Sequence, residues 1–207
     1  MSKSVPKILF LDIGGVLLSN AWGHESRQKA ADLFELDYSE TEHLHNFIFN
    51  VYEIGKITLD QYMDIVVFNR ERNFSKETFK EFMFSQSIEL PGMLRWLIEW
   101  KMANRHIKVI SINNEGKDLN DYRISKFELH QCFDAFISSG EVGMRKPDPG
   151  IFQLAMGIAQ VTPGNCFYFD DRIILSQAAA RLGINAYHHT DPEATKSIIK
   201  TIFSPEK

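Results

Sequence analysis

A chain of 207 residues, 44% hydrophobic and 24% charged, has the balance of one globular domain or of a core domain carrying a smaller insertion. Its formal net charge of −4 leaves no basic footprint for nucleic acid, so an anionic ligand needs a local positive site. The two cysteines, Cys132 and Cys166, form no CxxC pair; they give neither a zinc cluster nor a disulfide framework and read as buried, reduced thiols.

Met1 to Lys7 has no apolar segment of secretory type. Ile8 to Leu18 is apolar but broken by Asp12, and too short to span a bilayer. The expectation is a soluble, cytoplasmic protein without a membrane partner, monomeric or homodimeric. Ile8 to Leu11 reads as a strand buried on both faces, ended by Asp12, Gly14 and Gly15. Helical periodicity follows over His24 to Leu36, Leu44 to Tyr52, Leu59 to Phe68 and Phe79 to Phe84, with Thr58 and Ser75 as N-caps. A helix over Met93 to Met102 comes next. The chain then alternates. Strands are expected at Ile107 to Ile112, Ala135 to Ser138, Cys166 to Phe169 and Ile184 to Tyr187. Helices are expected near Leu119 to Leu129, Gly150 to Ala159, Ile174 to Leu182 and Pro192 to Phe203. Such alternation calls for an α/β fold with a doubly wound parallel sheet. Residues 1–18 and 90–207 form the core in this reading, and residues 19–89 an inserted four-helix unit. Ser2 to Ser4 and Ser204 to Lys207 read as frayed ends.

Ligands of an open parallel sheet bind at the carboxyl ends of its strands. Asp12 follows the first apolar run, Asn113, Asn114 and Glu115 the second, Arg145 and Lys146 the third, and Asp170 and Asp171 the fourth. Three converging carboxylates repel one another unless a cation joins them, and Mg²⁺ prefers oxygen ligands. A lysine and an amide suit a phosphate, and a carboxylate is itself a competent nucleophile on phosphorus.

These segments resemble the four motifs of the haloacid dehalogenase superfamily: LDIGGVL from Leu11, INNE from Ile112, GMRKPDPGIF from Gly143, and YFDDR from Tyr168. The resemblance covers nearly the whole chain, and the insertion is similar to the small helical cap of that family. It implies Asp12 as nucleophile and metal ligand, with the Gly14 carbonyl and Asp171 as further Mg²⁺ ligands and Asp170 as a weaker one. It also implies that Lys146 bridges nucleophile and phosphate, and that Asn113 and Asn114 bind substrate. The implied activity is hydrolysis of a small phosphate monoester, sugar phosphates among the candidates, through an aspartyl-phosphate on Asp12.

One departure bears on this. Family phosphatases usually carry a second aspartate, the general acid and base, where this chain has Gly14. A phosphatase using another proton source, a weak or inactive ligand-binding relative, and a 2-haloacid dehalogenase all fit that difference. His24 is a candidate replacement, set against an ordinary solvated histidine. Trp22 either lines the pocket or packs the cap on the core. Phe47, Phe49, Tyr52, Tyr62 and Phe68 read as bundle core, and His43 and His45 share no helix face. His188 and His189 read as surface or strand-end residues. Asp148 reads as a helix cap, Arg145 as a phosphate contact or a salt bridge, Arg172 as a loop orienter or a substrate contact, and Glu115 as a polar substrate contact.

Overall fold

Continuous apolar sequence gives the first strand, β1 (Ile8–Leu11), whose four residues are each no more than 2% exposed. Its side chains enter two different cores. Leu9 and Leu11 pack with Leu97, Val109 and Phe169, whereas Ile8 and Phe10 pack with Ile112, Phe152 and Tyr168. Burial on both faces is the mark of a central strand in a parallel sheet. The computed structural model describes residues 6–204. Of the expected frayed ends, residues 2–4 and 205–207 lie outside the described residues.

Four helices follow β1: α1 (His24–Leu33), α2 (Tyr38–Glu53), α3 (Leu59–Val66) and α4 (Lys76–Ser85). The rest of the chain runs α5 (Leu94–Ala103), β2 (Lys108–Asn113), α6 (Lys117–Lys126), β3 (Ala135–Ser138), the single turn α7 (Ser139–Val142), α8 (Pro149–Ala159), β4 (Cys166–Asp170), α9 (Ile173–Ala180), β5 (Asn185–His188) and α10 (Pro192–Ile202). The sheet has the order β3-β2-β1-β4-β5, and every pairing is parallel. Leu11 stands opposite Ser111 and Phe169, so Asp12 and Asp170 emerge level with each other at one edge.

Element boundaries differ from the sequence reading where capping side chains intervene. The second helix starts at Tyr38 rather than Leu44 because Asp37 accepts from the Glu40 N–H. The fourth starts at Lys76 because Ser75 accepts from the Thr78 N–H. The first ends at Leu33, short of Leu36, and Glu35 follows with a positive φ of 53°. Thr58 and Gln61 form a reciprocal capping box on α3, and Asp148 caps α8. The helix expected to reach Leu129 stops at Lys126, and Glu128 turns the chain with a φ of 49°.

The inserted helices enclose their own apolar cluster, which includes Trp22, Tyr52, Tyr62, Met63, Phe79 and Met83. Phe47 does not belong to it. It stands 76% exposed on the outer face of α2. The insertion meets the sheet domain at the end of α2, where the Ser139 hydroxyl donates to the Glu53 carbonyl at 2.7 Å. Nearby, a methyl on Gly55 would lie 2.2 Å from the Gly140 carbonyl oxygen, so these two backbones touch directly. Both cysteines are buried and free, and among the described residues no helix is long and apolar enough to cross a membrane.

Candidate active site

Asp12 leaves the end of β1 with its backbone N–H donating to the Phe169 carbonyl at 2.9 Å. Its Oδ1 accepts the Ile13 N–H at 2.8 Å, and its Oδ2 lies 3.1 Å from the Lys146 ammonium. Lys146 is fully buried and also donates to Asp170 Oδ2 at 2.7 Å. One ammonium therefore bridges two carboxylates taken out of water, an arrangement that needs the pairing to exist at all. Asp170 accepts two further hydrogen bonds, from the Tyr168 hydroxyl and, at Oδ1, from the Arg172 N–H at 2.8 Å. Burial and the neighbouring Asp170 hold the Tyr168 phenol far above its ordinary range, so it stays a donor.

Burial pushes the Asp12 carboxyl up to about 7; Lys146 opposes this shift, and Asp170 and Asp171 add to it. Asp171 completes the cluster, since the three carboxylates offer ligand atoms within 4.8 Å of one another. Its Oδ1 is buried without a hydrogen-bond partner, while Oδ2 accepts weakly from the Asn20 amide at 3.4 Å. An orphaned buried carboxylate oxygen beside two other carboxylates fits a hard divalent cation, which would also favour the ionised form of Asp12. The glycines of the first loop leave room for this cluster. At Gly15, whose φ is +68°, a methyl would meet Asp171 Oδ2 at 2.0 Å. At Gly14 it would meet the Asn20 carboxamide oxygen at 2.7 Å.

Asn113, at the end of β2, is buried beside Asn120 and lines the cavity above Asp12. Asn114 uses its amide differently. Its Oδ1 accepts the Lys146 N–H and its Nδ2 donates to the Lys146 carbonyl, both at 2.8 Å. That double clamp fixes the backbone that carries the lysine.

The cavity measures about 290 Å³, suited to a small ligand. Its walls hold paired charges. Arg123 donates to the Glu115 carboxylate and, at 2.5 Å, to the Ser19 carbonyl. Burial raises the Glu115 carboxyl to about 7, against the pull of Arg123. Arg145 Nε lies 2.6 Å from Glu53 Oε2 but out of line for a hydrogen bond, and its guanidinium reaches Asn50. Arg145 is therefore an ion-pair residue on the cavity wall. Arg172 lines the exposed rim, and its backbone N–H orients Asp170. His24 is a rim residue too, with its side chain 70% exposed and its Nδ1 2.8 Å from the Tyr38 hydroxyl.

Of the two expectations for Trp22, the pocket-lining one is met, and its aromatic partner, packed edge-on, is Phe79 within the insertion and not in the core. Phe49 packs against the bundle core, its ring against Tyr52 and Tyr62, and lines the cavity as well. The cavity residues that escaped the sequence reading include Asn20, Arg27, His45, Glu53 and Arg123. Asn20 lies in a connecting segment with no periodicity to read. His45 sits four residues before Phe49 on α2, and that i, i+4 spacing was the available signal that the two share a face. His189 was read as an ordinary strand-end or surface residue, but it is buried and bonded to Thr195 at 2.7 Å.

A parallel sheet of this order, with a lysine-bridged aspartate pair at its carboxyl edge and a helical insertion behind the first strand, defines an α/β hydrolytic scaffold. The chain belongs to the haloacid dehalogenase-like hydrolases, matching that family over residues 6–183. A HAD family enzyme from Bacteroides thetaiotaomicron, solved as a magnesium complex, superposes with a TM-score of 0.78 at 22% identity, covering 95% of this chain and 100% of that one. The same enzyme with magnesium and inorganic phosphate gives 0.72 at 24% identity, covering 89% and 94%. A HAD-like family hydrolase from Porphyromonas gingivalis gives 0.77 at 15% identity, covering 98% and 100%. These likenesses are of fold. In sequence, a haloacid dehalogenase-like hydrolase domain-containing protein of Arabidopsis thaliana is 29% identical over 116 residues, 55% of this chain and 37% of that protein. The chain spans less than two-fifths of the length of the curated relatives it matches.

Proposed function

We propose that this hydrolase is a Mg²⁺-dependent phosphatase acting on a small phosphate monoester, with Asp12 as nucleophile. The observation that carries the reading is the single ammonium of Lys146 joining Asp12 to Asp170, beside an Asp171 oxygen with no partner of its own. In support, a structural neighbour binds magnesium and inorganic phosphate together.

Asp12 and Asp171, the Gly14 carbonyl and, more weakly, Asp170 would hold the cation. When bound it supplies charge that screens a phosphate from the Asp12 carboxylate. Residues 19–89 act as the cap over the cavity. The Lys146 ammonium and the Asn113 amide hold phosphate oxygens, while the Asn114 clamp keeps Lys146 in register. Asp12 Oδ2 attacks phosphorus, the ester P–O bond breaks, and the leaving oxygen departs on the opposite side. Water then cleaves the aspartyl-phosphate and regenerates Asp12. No carboxylate stands at Gly14 to protonate the leaving oxygen. Substrates with good leaving groups, anomeric sugar phosphates among them, depend least on that proton.

The test is turnover of a phosphate ester panel with and without Mg²⁺, in wild type and Asp12→Asn. Loss of activity by roughly 10³-fold or more in Asp12→Asn, with an unchanged circular dichroism spectrum, is expected for a missing nucleophile. Undiminished activity refutes the mechanism. A second reading, a ligand-binding relative with little turnover, rests on Gly14 and predicts phosphate binding without hydrolysis. The dehalogenase reading predicts halide release from 2-haloacids without metal.

A further inference from the structure

The hydrogen-bond chain Trp22, Tyr62 and His45 joins three parts of the insertion. The Trp22 indole N–H donates to the Tyr62 hydroxyl oxygen at 2.8 Å, and that hydroxyl lies 2.7 Å from His45 Nδ1. An indole is a donor only. Tyr62 is fully buried and bonds to no other group among the described residues. If His45 Nδ1 also donated to it, the tyrosine hydrogen would be buried with no acceptor, which folded proteins avoid because the desolvation of the donor goes uncompensated. One arrangement satisfies all three groups: Trp22 donates to Tyr62, and Tyr62 donates to His45 Nδ1. A neutral imidazole with Nδ1 accepting carries its proton on Nε2. His45 is 4% exposed and lines the cavity, and Nε2 has no protein partner among the described residues. Its ring rests on Phe49, with centroids 4.4 Å apart.

We infer that His45 is a specificity residue: a fixed, neutral Nε2–H donor in the cap wall that accepts only leaving groups offering an oxygen lone pair. Charges on that wall are already matched. Arg27 is held by Glu42 through two bonds of 2.7 Å and by the Trp22 carbonyl, and Arg145 and Arg123 face Glu53 and Glu115. The group that fits is therefore uncharged and hydroxylated, the leaving group of a sugar or polyol phosphate. The same network makes His45 a donor and not a proton source, because an imidazolium would need a second N–H pointing at the Tyr62 hydrogen. This inference rests on the phosphatase reading for its substrate, but the tautomer does not.

Two measurements test it. In ¹⁵N-labelled protein at neutral pH, His45 should show the Nε2–H tautomer, and Tyr62→Phe should admit the Nδ1–H form. An Nδ1–H tautomer in wild type overturns the inference whether or not any ester is turned over. In kinetics, the ratio of kcat/KM for glucose 1-phosphate to that for phenyl phosphate, which has no second acceptor oxygen, should fall about tenfold in His45→Phe, the size of one lost hydrogen bond. The fall should lie mainly in KM, because the contact exists before the chemical step, and His45→Gln should recover part of it. An unchanged ratio in His45→Phe overturns the assignment.

Discussion

Gly14 lacks the side chain that would carry a general acid, and the Asn20 carboxamide occupies the space that such a side chain would enter, 2.7 Å from a methyl built there. An amide donates and accepts hydrogen bonds but does not exchange protons near neutrality, so it replaces the shape of an acid without its chemistry. Introducing Gly14→Asp alone pushes a carboxylate against the Asn20 carboxamide. Combining Gly14→Asp with Asn20→Ala clears the space. The double variant is expected to hydrolyse alkyl phosphates at least about tenfold faster than wild type, a part of the 10²–10⁴ that a positioned acid supplies. Leaving-group dependence measures this directly: rates on poor leaving groups should rise more than rates on phenyl phosphate. A folded double variant with wild-type rates would show that the slot does not face the leaving oxygen.

At the scale of elements, α2 and α3 are tied to the segment before α1 by the buried bonds of His45 and Tyr62, and this tie has a pH dependence. Burial and the nearby Arg27 lower the His45 imidazole from its ordinary 6.5 to about 4. The unfolded chain then binds a proton through the interval from 6.5 down to 4 that the folded chain does not. Stability contributed by neutral His45 is complete above pH 6.5 and is lost as the pH falls towards 4. The whole loss is on the order of 3 kcal/mol, from the fall of the imidazole from 6.5 to about 4. Urea unfolding at pH 7.5 and pH 4.5 checks it. Wild type should lose more stability across that interval than His45→Gln, and equal losses would place the coupling elsewhere. Much of this layer of the fold was legible beforehand. Strand-end residues such as Asp12, Lys146 and Asp171 declare themselves because each follows an apolar run, and runs mark strands wherever they pack. Thr58, Ser75 and Asp148 were legible as caps because their role is local. His45 and Asn20 were not. Helical periodicity says which residues share a face but not which partner the face meets, and the path of the loop from Leu18 to Trp22 depends on contacts with Asp171 and Arg123 far along the chain. Phe47 misled for the same reason, as an aromatic on a helix gives no sign that its face looks outward.

Taken whole, the described residues form a five-stranded sheet whose first crossover is enlarged by four helices, and the two parts meet at a seam formed by the end of α2 and the start of α7. At that seam Gly55 has a φ of +69° and its Cα faces the Gly140 carbonyl. Gly55→Ala is expected to destabilise the protein by more than about 1 kcal/mol, from the left-handed backbone alone, with the collision added. Thermal unfolding reads the loss. A variant as stable as wild type would mean that the seam opens freely.

That seam also gives the cavity a front and a back. Behind, two glycine backbones and the Ser139 bond to Glu53 hold the parts shut. In front, Asn20, Gly23, His24 and Arg172 border both the reaction cavity and a second surface hollow beside it. On the proposed phosphatase reading, these four residues are the threshold that an incoming ester and a departing alcohol would cross, so a product held there would stand in the way of the next arrival.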